Sequence, residues 1–292
     1  MAAVLKTDTE RSFWPVDKVI LAYFAFALVA VAGWWGNLAY APLFLAFHLC
    51  GAALLIFEIR YPNWTSRVFR HWYPLLYVAT CYKEMAYLIP AIRGGDADAF
   101  LAKLDYSVWG AHPTVWLERI QSPALTEFLQ IIYTLFVPMV LVPAFVLWKN
   151  RNYAGFRYFA FLIALGYLVS YVGYLIVPAR GPRFQLADLQ HAPLRGLWLF
   201  QGMQSTLDRL ESAHYDCFPS GHTELTILAW WSTRQFGKQL VFWLYFAYTL
   251  CIIFATVYLR YHYTVDVLAG VLVAIILIGT APLIYRSLKQ TV

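Results

Sequence analysis

Charge is what this sequence has least of. Only 13% of its 292 residues are Asp, Glu, Lys or Arg, against about 25% in soluble globular domains. That scarcity excludes a disordered chain, a coiled coil and a water-soluble globule. Cysteine is scarce as well. Of the four, Cys50, Cys81 and Cys251 lie inside apolar runs and only Cys217 lies in a polar stretch, so neither a disulfide framework nor a zinc site is expected. Internal repeats and low-complexity tracts are missing. So is the pattern of a cleavable signal peptide, because the first apolar run, Val19 to Trp35, is long for a signal core and no small-residue cleavage site follows it.

What is abundant is apolar and aromatic surface: 61% hydrophobic residues, with 21 Phe, 21 Tyr and 12 Trp. Eight runs approach the roughly 20 residues needed to span a bilayer: Val19–Trp35, Leu38–Phe57, Trp72–Ile92, Phe128–Trp148, Tyr158–Val177, Ser220–Phe236, Leu240–Leu259 and Thr264–Tyr285. Spans without strand partners must be helices, since unpaired backbone groups are too costly in hydrocarbon. The third is interrupted by Lys83 and Glu84, which read as a bundle-facing ion pair or as the mark of a broken interfacial helix.

The net charge of +6 does not point to nucleic acid, because the basic residues sit in short clusters between apolar runs. Thirteen fall on one side: Lys6, Arg11, Lys18, Arg60, Arg67, Arg70, Lys149, Arg151, Arg157, Arg234, Lys238, Arg286 and Lys289. Eight fall on the other: Arg93, Lys103, Arg119, Arg180, Arg183, Arg195, Arg209 and Arg260. This excess places both termini in the cytoplasm, through eight crossings or through six with re-entrant segments. Two extracytoplasmic connections are long. Arg93 to Glu127 carries Asp96, Asp98 and Asp105 and an amphipathic stretch with Trp116, Leu117 and Ile120, which reads as an interfacial helix. Pro178 to Pro219 is polar and of a length usually reserved for function.

Three segments at the extracytoplasmic ends of the last four runs carry the candidate chemistry: Val177-Pro-Ala-Arg-Gly-Pro-Arg183-Phe, Cys217-Phe-Pro-Ser-Gly-His222-Thr and Tyr258-Leu-Arg-Tyr-His262-Tyr-Thr-Val-Asp266. His262 and Asp266 are four apart on one helix face. The carboxylate can accept the imidazole's distal N–H and leave the other nitrogen as nucleophile or base; a structurally satisfied histidine would look the same. Ser220 reads as an N-cap, and the N–H groups of Gly221 and His222 at a helix start form an anion site. His222 there can protonate a leaving group or merely sit at an interface. Arg180 and Arg183 suit bidentate phosphate binding, although arginines near headgroups also snorkel.

In this order and on one face, these segments resemble the type 2 phosphatidic acid phosphatase (PAP2) superfamily over roughly Asp105 to Tyr285. Phe-Pro-Ser-Gly-His-Thr and Tyr-Leu-Arg-Tyr-His-Tyr-Thr-Val-Asp look closest to the branch of inositol phosphorylceramide synthases, and His-Tyr-Thr-Val-Asp is also similar to sphingomyelin synthases. Two departures stand out. No lysine occurs between Arg151 and Arg183, where the superfamily's first motif opens with one. Its third-motif Ser-Arg pair falls on Ala255-Thr256, which leaves Arg260 as the nearest substitute.

The resemblance implies an all-α polytopic membrane protein of about eight transmembrane helices, the last five or six forming the PAP2-like bundle. Residues 1–104 would be N-terminal helices and an interfacial loop, 105–285 the catalytic membrane domain and 286–292 a cytoplasmic tail. His262 would attack phosphorus, Asp266 hold its ring, and His222 protonate the departing alkoxide. Arg180, Arg183, Arg260, Ser220 and Gly221 would hold the phosphate. No metal or cofactor is expected, and no nucleic acid; the partners would be a lipid phosphate or phospholipid substrate and membrane lipids. The expected activity is that of an integral lipid phosphatase in the plasma or inner membrane, acting at its extracytoplasmic face on a lipid phosphomonoester or pyrophosphate. The alternative is a phosphotransferase moving a phospho-headgroup from a phospholipid to a lipid alcohol. A transporter or scaffold would need no ordered His/His/Asp set, and a metal hydrolase using His222, His262 and Asp266 would be sensitive to EDTA.

Overall fold

Helix Tyr153–Ile176 (α8) is the pole around which the chain is arranged. Thirteen of its residues are buried, from Gly155 to Tyr174, and α1 (Pro15–Gly33), α3 (Trp64–Ile92), α7 (Phe136–Lys149), α11 (Gly221–Thr233) and α13 (Thr264–Gln290) all pack against it. A helix apolar all round is one buried on all sides. The computed structural model describes residues 12–61, 64–210 and 215–290, with 64–67 as backbone alone. Lys6 and Arg11, two of the expected topology charges, lie outside the described residues, as does the side chain of Arg67. Helices account for most of those residues, and no strand occurs among them.

Each expected apolar run overlaps a helix or a helix pair. Among the described residues, five helices are long and apolar enough to cross a membrane alone: α1, α2 (Ala41–Arg60), α8, α12 (Gln239–Tyr258) and α13. Helix α6 (Pro123–Thr134) and α7 make a sixth if taken together, bent by 43° at Leu135. The full count of eight is not confirmed by length and composition. Helix α3 has 29 residues, but Arg70, Lys83 and Glu84 lower its apolar character. Helix α11 has only 13 residues, about 20 Å at 1.5 Å each, short of the roughly 30 Å hydrocarbon core. Neither expected reading of Lys83 and Glu84 holds. Helix α3 runs unbroken through them; Lys83 is exposed while Glu84 turns inward, because neighbours in a helix do not share a face.

Apolar side chains give little net drive for association in lipid, so close approach and buried polar contacts hold such bundles together. Glu84 bonds Nε2 of His48 at 2.9 Å and accepts the hydroxyl of Tyr23 at 3.2 Å, while the other ring nitrogen of His48 meets Tyr77 at 2.5 Å. Asp17 is bonded by Arg70 and by Tyr73. Tyr171 of α8 donates to the carbonyl of Val78 in α3. These contacts tie α1, α2 and α3 to one another and to α8. The expected boundary after residue 104 falls inside a helix, α4 (Asp98–Trp109).

The end of the bundle where α8 finishes and α11 and α13 begin is roofed by α4, the short α5 (Pro113–Trp116), a 3-10 turn (Leu117–Ile120) and the connection from Pro178 to Pro219. The described parts of that connection, 178–210 and 215–219, include α9 (Pro182–Gln185) and α10 (Phe200–Leu210). Glu127 of α6 accepts the N–H groups of Leu197, Trp198, Leu199 and Phe200 at 2.6–3.3 Å, placing a carboxylate where the helix dipole of α10 favours it.

Helices α11 and α13 approach closely at Gly270, where an added Cβ would lie 2.6 Å from the carbonyl oxygen of Ser220. Gly270→Ala should therefore force the two helices apart and cost about 1–3 kcal/mol, read as a lowered melting temperature in detergent. Gly279→Ala, with nothing within 4 Å of the new methyl, is the control and should lose nothing; equal melting of the two variants would refute the close-packing account.

Candidate active site

The third motif occupies a sharp reversal between α12 and α13. The carbonyl of Thr256 accepts the N–H of both Tyr261 (3.0 Å) and His262 (3.1 Å), and Arg260 takes a left-handed φ of 66°. This bend lets Arg260 and His262, two residues apart, face one cavity. His262 Nδ1 lies 2.8 Å from the backbone carbonyl of Cys217 and 3.6 Å from Asp266 Oδ2. A carbonyl can only accept, so Nδ1 carries the hydrogen and the lone pair is left on Nε2. Asp266 was expected to accept that N–H directly; instead the carbonyl of Cys217 takes it and the carboxylate stands behind. Asp266 Oδ2 accepts the N–H of Tyr263 at 2.8 Å and the thiol of Cys217 at 2.9 Å. Burial, and then the charge of Asp266, push the Cys217 thiol above its ordinary value, so it is a neutral S–H that donates.

The second motif supplies His222 and its support. Ser220 is the N-cap of α11, its hydroxyl accepting the N–H of Thr223 at 3.3 Å, as the sequence leads one to expect. Its own amide, however, donates to the carbonyl of Asp266 at 3.0 Å. Ser220 and Gly221 are buried and do not line the cavity, whereas His222 does. The His222 ring stacks on Tyr133 with centroids 4.5 Å apart, touches Phe136 at 4.4 Å, and lies 5.7 Å from the His262 ring.

The cavity between the histidines is small, about 50 Å³, and Arg180, Arg183 and Arg260 stand in its wall with Asp208 and Asp216. The arginines are not equivalent. Arg180 is exposed with its guanidinium 4.5 Å from the ring of Phe184. Arg183 bonds Asp208 at 2.8 Å. Arg260 is engaged most fully, bonded to Glu118 (2.9 Å), the carbonyl of Ala192 (2.6 Å) and Gln190 (3.0 Å). It ties the α5 region to the 178–219 connection. The structure thus brings His222, His262, Asp266, Arg180, Arg183 and Arg260 together and leaves Ser220 and Gly221 behind the wall.

The sequence signature of the PAP2 superfamily matches residues 100–280, more than half of the chain and all three motifs. The chain belongs to the PAP2 superfamily. No curated protein and no solved structure matches it significantly.

Asp98 lies just ahead of the matched PAP2 stretch and was not read from the sequence as part of the site. Its carboxylate accepts the N–H of Arg180 and of Gly181, both at 2.7 Å, and the hydroxyl of Tyr263 at 3.0 Å. It therefore joins the first motif to the third. Gly181 has φ 99°, and a Cβ there would meet the carbonyl oxygen of Tyr261 at 2.6 Å, so the two motifs touch backbone to backbone. One α4 heptad on, Asp105 accepts the hydroxyl of Thr264 and, at 3.0 Å, the N–H of Val265, capping α13. Two aspartates seven apart lie on one helix face, and that spacing was the available signal.

Asp98→Asn keeps the volume but loses the charge that the two PAP2-motif amides are bonded to. Bonds to a charged group are worth about 1.5–3 kcal/mol, so kcat/KM should fall roughly ten- to hundredfold. Asp188→Asn, at an exposed carboxylate, should change little. Indistinguishable losses in the two variants would exclude the anchoring role.

Proposed function

We propose that this PAP2 protein is an integral membrane lipid phosphatase that hydrolyses a lipid phosphomonoester or pyrophosphate through a phosphohistidine. The observation that carries the proposal is the Cys217 carbonyl bonded to His262 Nδ1, since it leaves the Nε2 lone pair in a cavity walled by arginines and by His222. In the first step Nε2 of His262 bonds to phosphorus and the bond from phosphorus to the leaving oxygen breaks. His222, protonated once the phosphate anion lies beside it, gives its proton to that oxygen. In the second step neutral His222 takes a proton from water, the resulting hydroxide attacks phosphorus, and the P–N bond breaks to release phosphate. Asp266 and the Cys217 carbonyl stabilise the positive ring that forms at His262. Arg180 and Arg183 hold the non-bridging oxygens; such positioning and charge stabilisation is most of what phosphoryl transfer needs. Arg260 adds positive potential at the edge while it bonds Glu118. Ser220 and Gly221 contribute by starting α11, whose N-terminus favours an anion nearby.

A second cavity supports a lipid as substrate. It measures about 580 Å³ and is lined by apolar groups of α5, α12 and α13, including Trp116, Leu117, Val257 and Val267. Thr264 and Val267 of its wall bracket Asp266, so a chain held there lies close to the catalytic helix.

Phosphotransfer from a phospholipid headgroup to a lipid alcohol is the second reading. The observation favouring it is Asp216 in the cavity wall, its carboxylate bonded by Tyr82 of α3. A carboxylate has no use for a bare phosphate but suits the hydroxyls or ammonium of a headgroup. Similarity of the second and third motifs to the inositol phosphorylceramide synthase branch points the same way. Purified protein incubated with lipid phosphates and with phospholipids plus ceramide or diacylglycerol separates the two: free phosphate marks the phosphatase, and a new phospholipid in its absence marks the transferase.

His262→Ala and His222→Ala should each abolish turnover and Asp266→Asn should leave a trace, because members of a coupled unit fail together. Near-normal activity in His262→Ala would rule out the phosphohistidine. Arg183→Lys keeps charge but not the planar fork; a lost charge-assisted bond of about 1.5–3 kcal/mol corresponds to roughly ten- to hundredfold in kcat/KM, against little change in Arg195→Lys. For sidedness, both termini are assigned to the cytoplasm and the site to the other face. Trp198, 86% exposed on the roof of the site, tests this as Trp198→Cys in a Cys50→Ala background. It should react with an impermeant maleimide in intact cells, and reaction only after permeabilisation would reverse the orientation.

A further inference from the structure

Behind the nucleophile, three groups of different chemistry converge. Cys217 Sγ, His262 Nδ1 and one Asp266 oxygen all lie within 4.8 Å of one another. The separations are 2.9 Å from sulfur to Asp266 Oδ2, 3.5 Å from sulfur to Nδ1, and 3.6 Å from Nδ1 to Oδ2. Tetrahedral zinc holds sulfur at about 2.3 Å, imidazole nitrogen at about 2.0–2.1 Å and carboxylate oxygen at about 2.0–2.2 Å. Those bond lengths imply edges of roughly 3.5 Å between sulfur and either lighter ligand and roughly 3.3 Å between nitrogen and oxygen. Two of the three observed edges already fit within a few tenths of an ångström, and the third opens once the S–H bond to Oδ2 is gone. The second oxygen, Asp266 Oδ1, is buried without a hydrogen-bond partner. Cys217 and His262 also line the catalytic cavity, so an ion there reaches the cluster without crossing the bundle.

We infer that Cys217, His262 and Asp266 form an inhibitory site for a thiophilic divalent cation such as Zn²⁺. The site is distinct in role from the proposed reaction, which uses no metal. Binding replaces the S–H bond of Cys217 and the N–H bond of His262 Nδ1 with bonds to the ion. The neutral ring then carries its hydrogen on Nε2, and one proton in total leaves to solvent. Nε2 has no lone pair left to attack phosphorus, and Asp266 no longer stabilises a positive ring. Soft thiolate together with imidazole selects Zn²⁺ or Cd²⁺ over Mg²⁺ and Ca²⁺, which prefer all-oxygen sites. The inhibitory consequence rests on the proposed role of His262; the binding itself does not.

The test separates the two. Full-length protein in detergent is titrated with Cd²⁺ while the sulfur-to-cadmium charge-transfer absorption is followed in the ultraviolet, and Zn²⁺ is added as competitor. One Cd²⁺ per chain should give the band, and Mg²⁺ should not displace it. Cys217→Ser, which keeps a donor toward Asp266, should remove the band, while Cys50→Ala should keep it; Asp266→Asn should weaken binding by more than about a hundredfold, beyond what loss of an outer-shell partner costs. Zn²⁺ should stop turnover of the unaltered protein over the range in which it displaces Cd²⁺, and EDTA should restore it. In Cys217→Ser, measured against its own metal-free rate, the inhibition should be lost. A band that survives in Cys217→Ser, or Zn²⁺ inhibition equally strong there, would overturn the site. Should the protein prove inactive on every lipid offered, the Cd²⁺ titration still decides the binding.

Discussion

The bond from Asp98 to two consecutive amides is the constraint on which the site depends. The groups to which the proposed reaction assigns catalysis come from three places far apart in the chain: the end of α8, the start of α11 and the turn before α13. Nothing in any one of these segments fixes its distance to the others. Asp98 does so from a fourth element, α4, by bonding Arg180 and Gly181 on one side and Tyr263 on the other. Burial pushes its carboxyl above the ordinary range, and the two amides and the tyrosine hydroxyl pull it back. Asp105 repeats the device two turns later at the cap of α13. Helix α4 is thus a bar that sets the spacing of the motifs.

The membrane half beneath is braced in a similar way. In lipid, a buried polar group without a partner is costly, and each one that is satisfied across two helices fixes their relative position. Glu84 with His48 and Tyr23, Asp17 with Arg70 and Tyr73, and Tyr171 with the Val78 carbonyl serve this purpose. Tyr82 extends the bracing to the cavity by bonding Asp216. The three N-terminal helices, although they precede the stretch matched by the superfamily, bear on the site through α3.

How much of this was legible in the sequence depended on whether a partner was local. His262 and Asp266 share a helix face, and Ser220 caps α11, because both relations lie within one turn. The carbonyl of Cys217 that takes the N–H of His262 has no signature, since every residue has a carbonyl. The same is true of the Ser220 amide, which donates to the carbonyl of Asp266. Arg260 reads as a phosphate ligand from its place in the motif; its partners Glu118 and Gln190 are 142 and 70 residues away and could not be paired with it from spacing. The apolar runs were readable as helices, but not how each is built: the run ending at Phe236 is α11 to Thr233 followed by a 3-10 turn, Arg234–Phe236. The Asp98–Asp105 heptad is present in the sequence, but acidic residues in a long connection have the pattern of a solvated surface.

The ring stack of Tyr261, Tyr133 and His222 has a consequence for the rate of reaction. Tyr261 lies on Tyr133 at 4.4 Å and 13°, and Tyr133 on His222 at 4.5 Å and 27°, with Phe136 closing on the imidazole from α7. An imidazole at the first turn of a helix would otherwise sample several side-chain rotations, each aiming its proton differently. Clamped between rings from α6 and α7, it keeps one plane. In the proposed reaction, the orientational entropy that an unrestrained acid must surrender on the way to each transition state is given up once, when the chain folds.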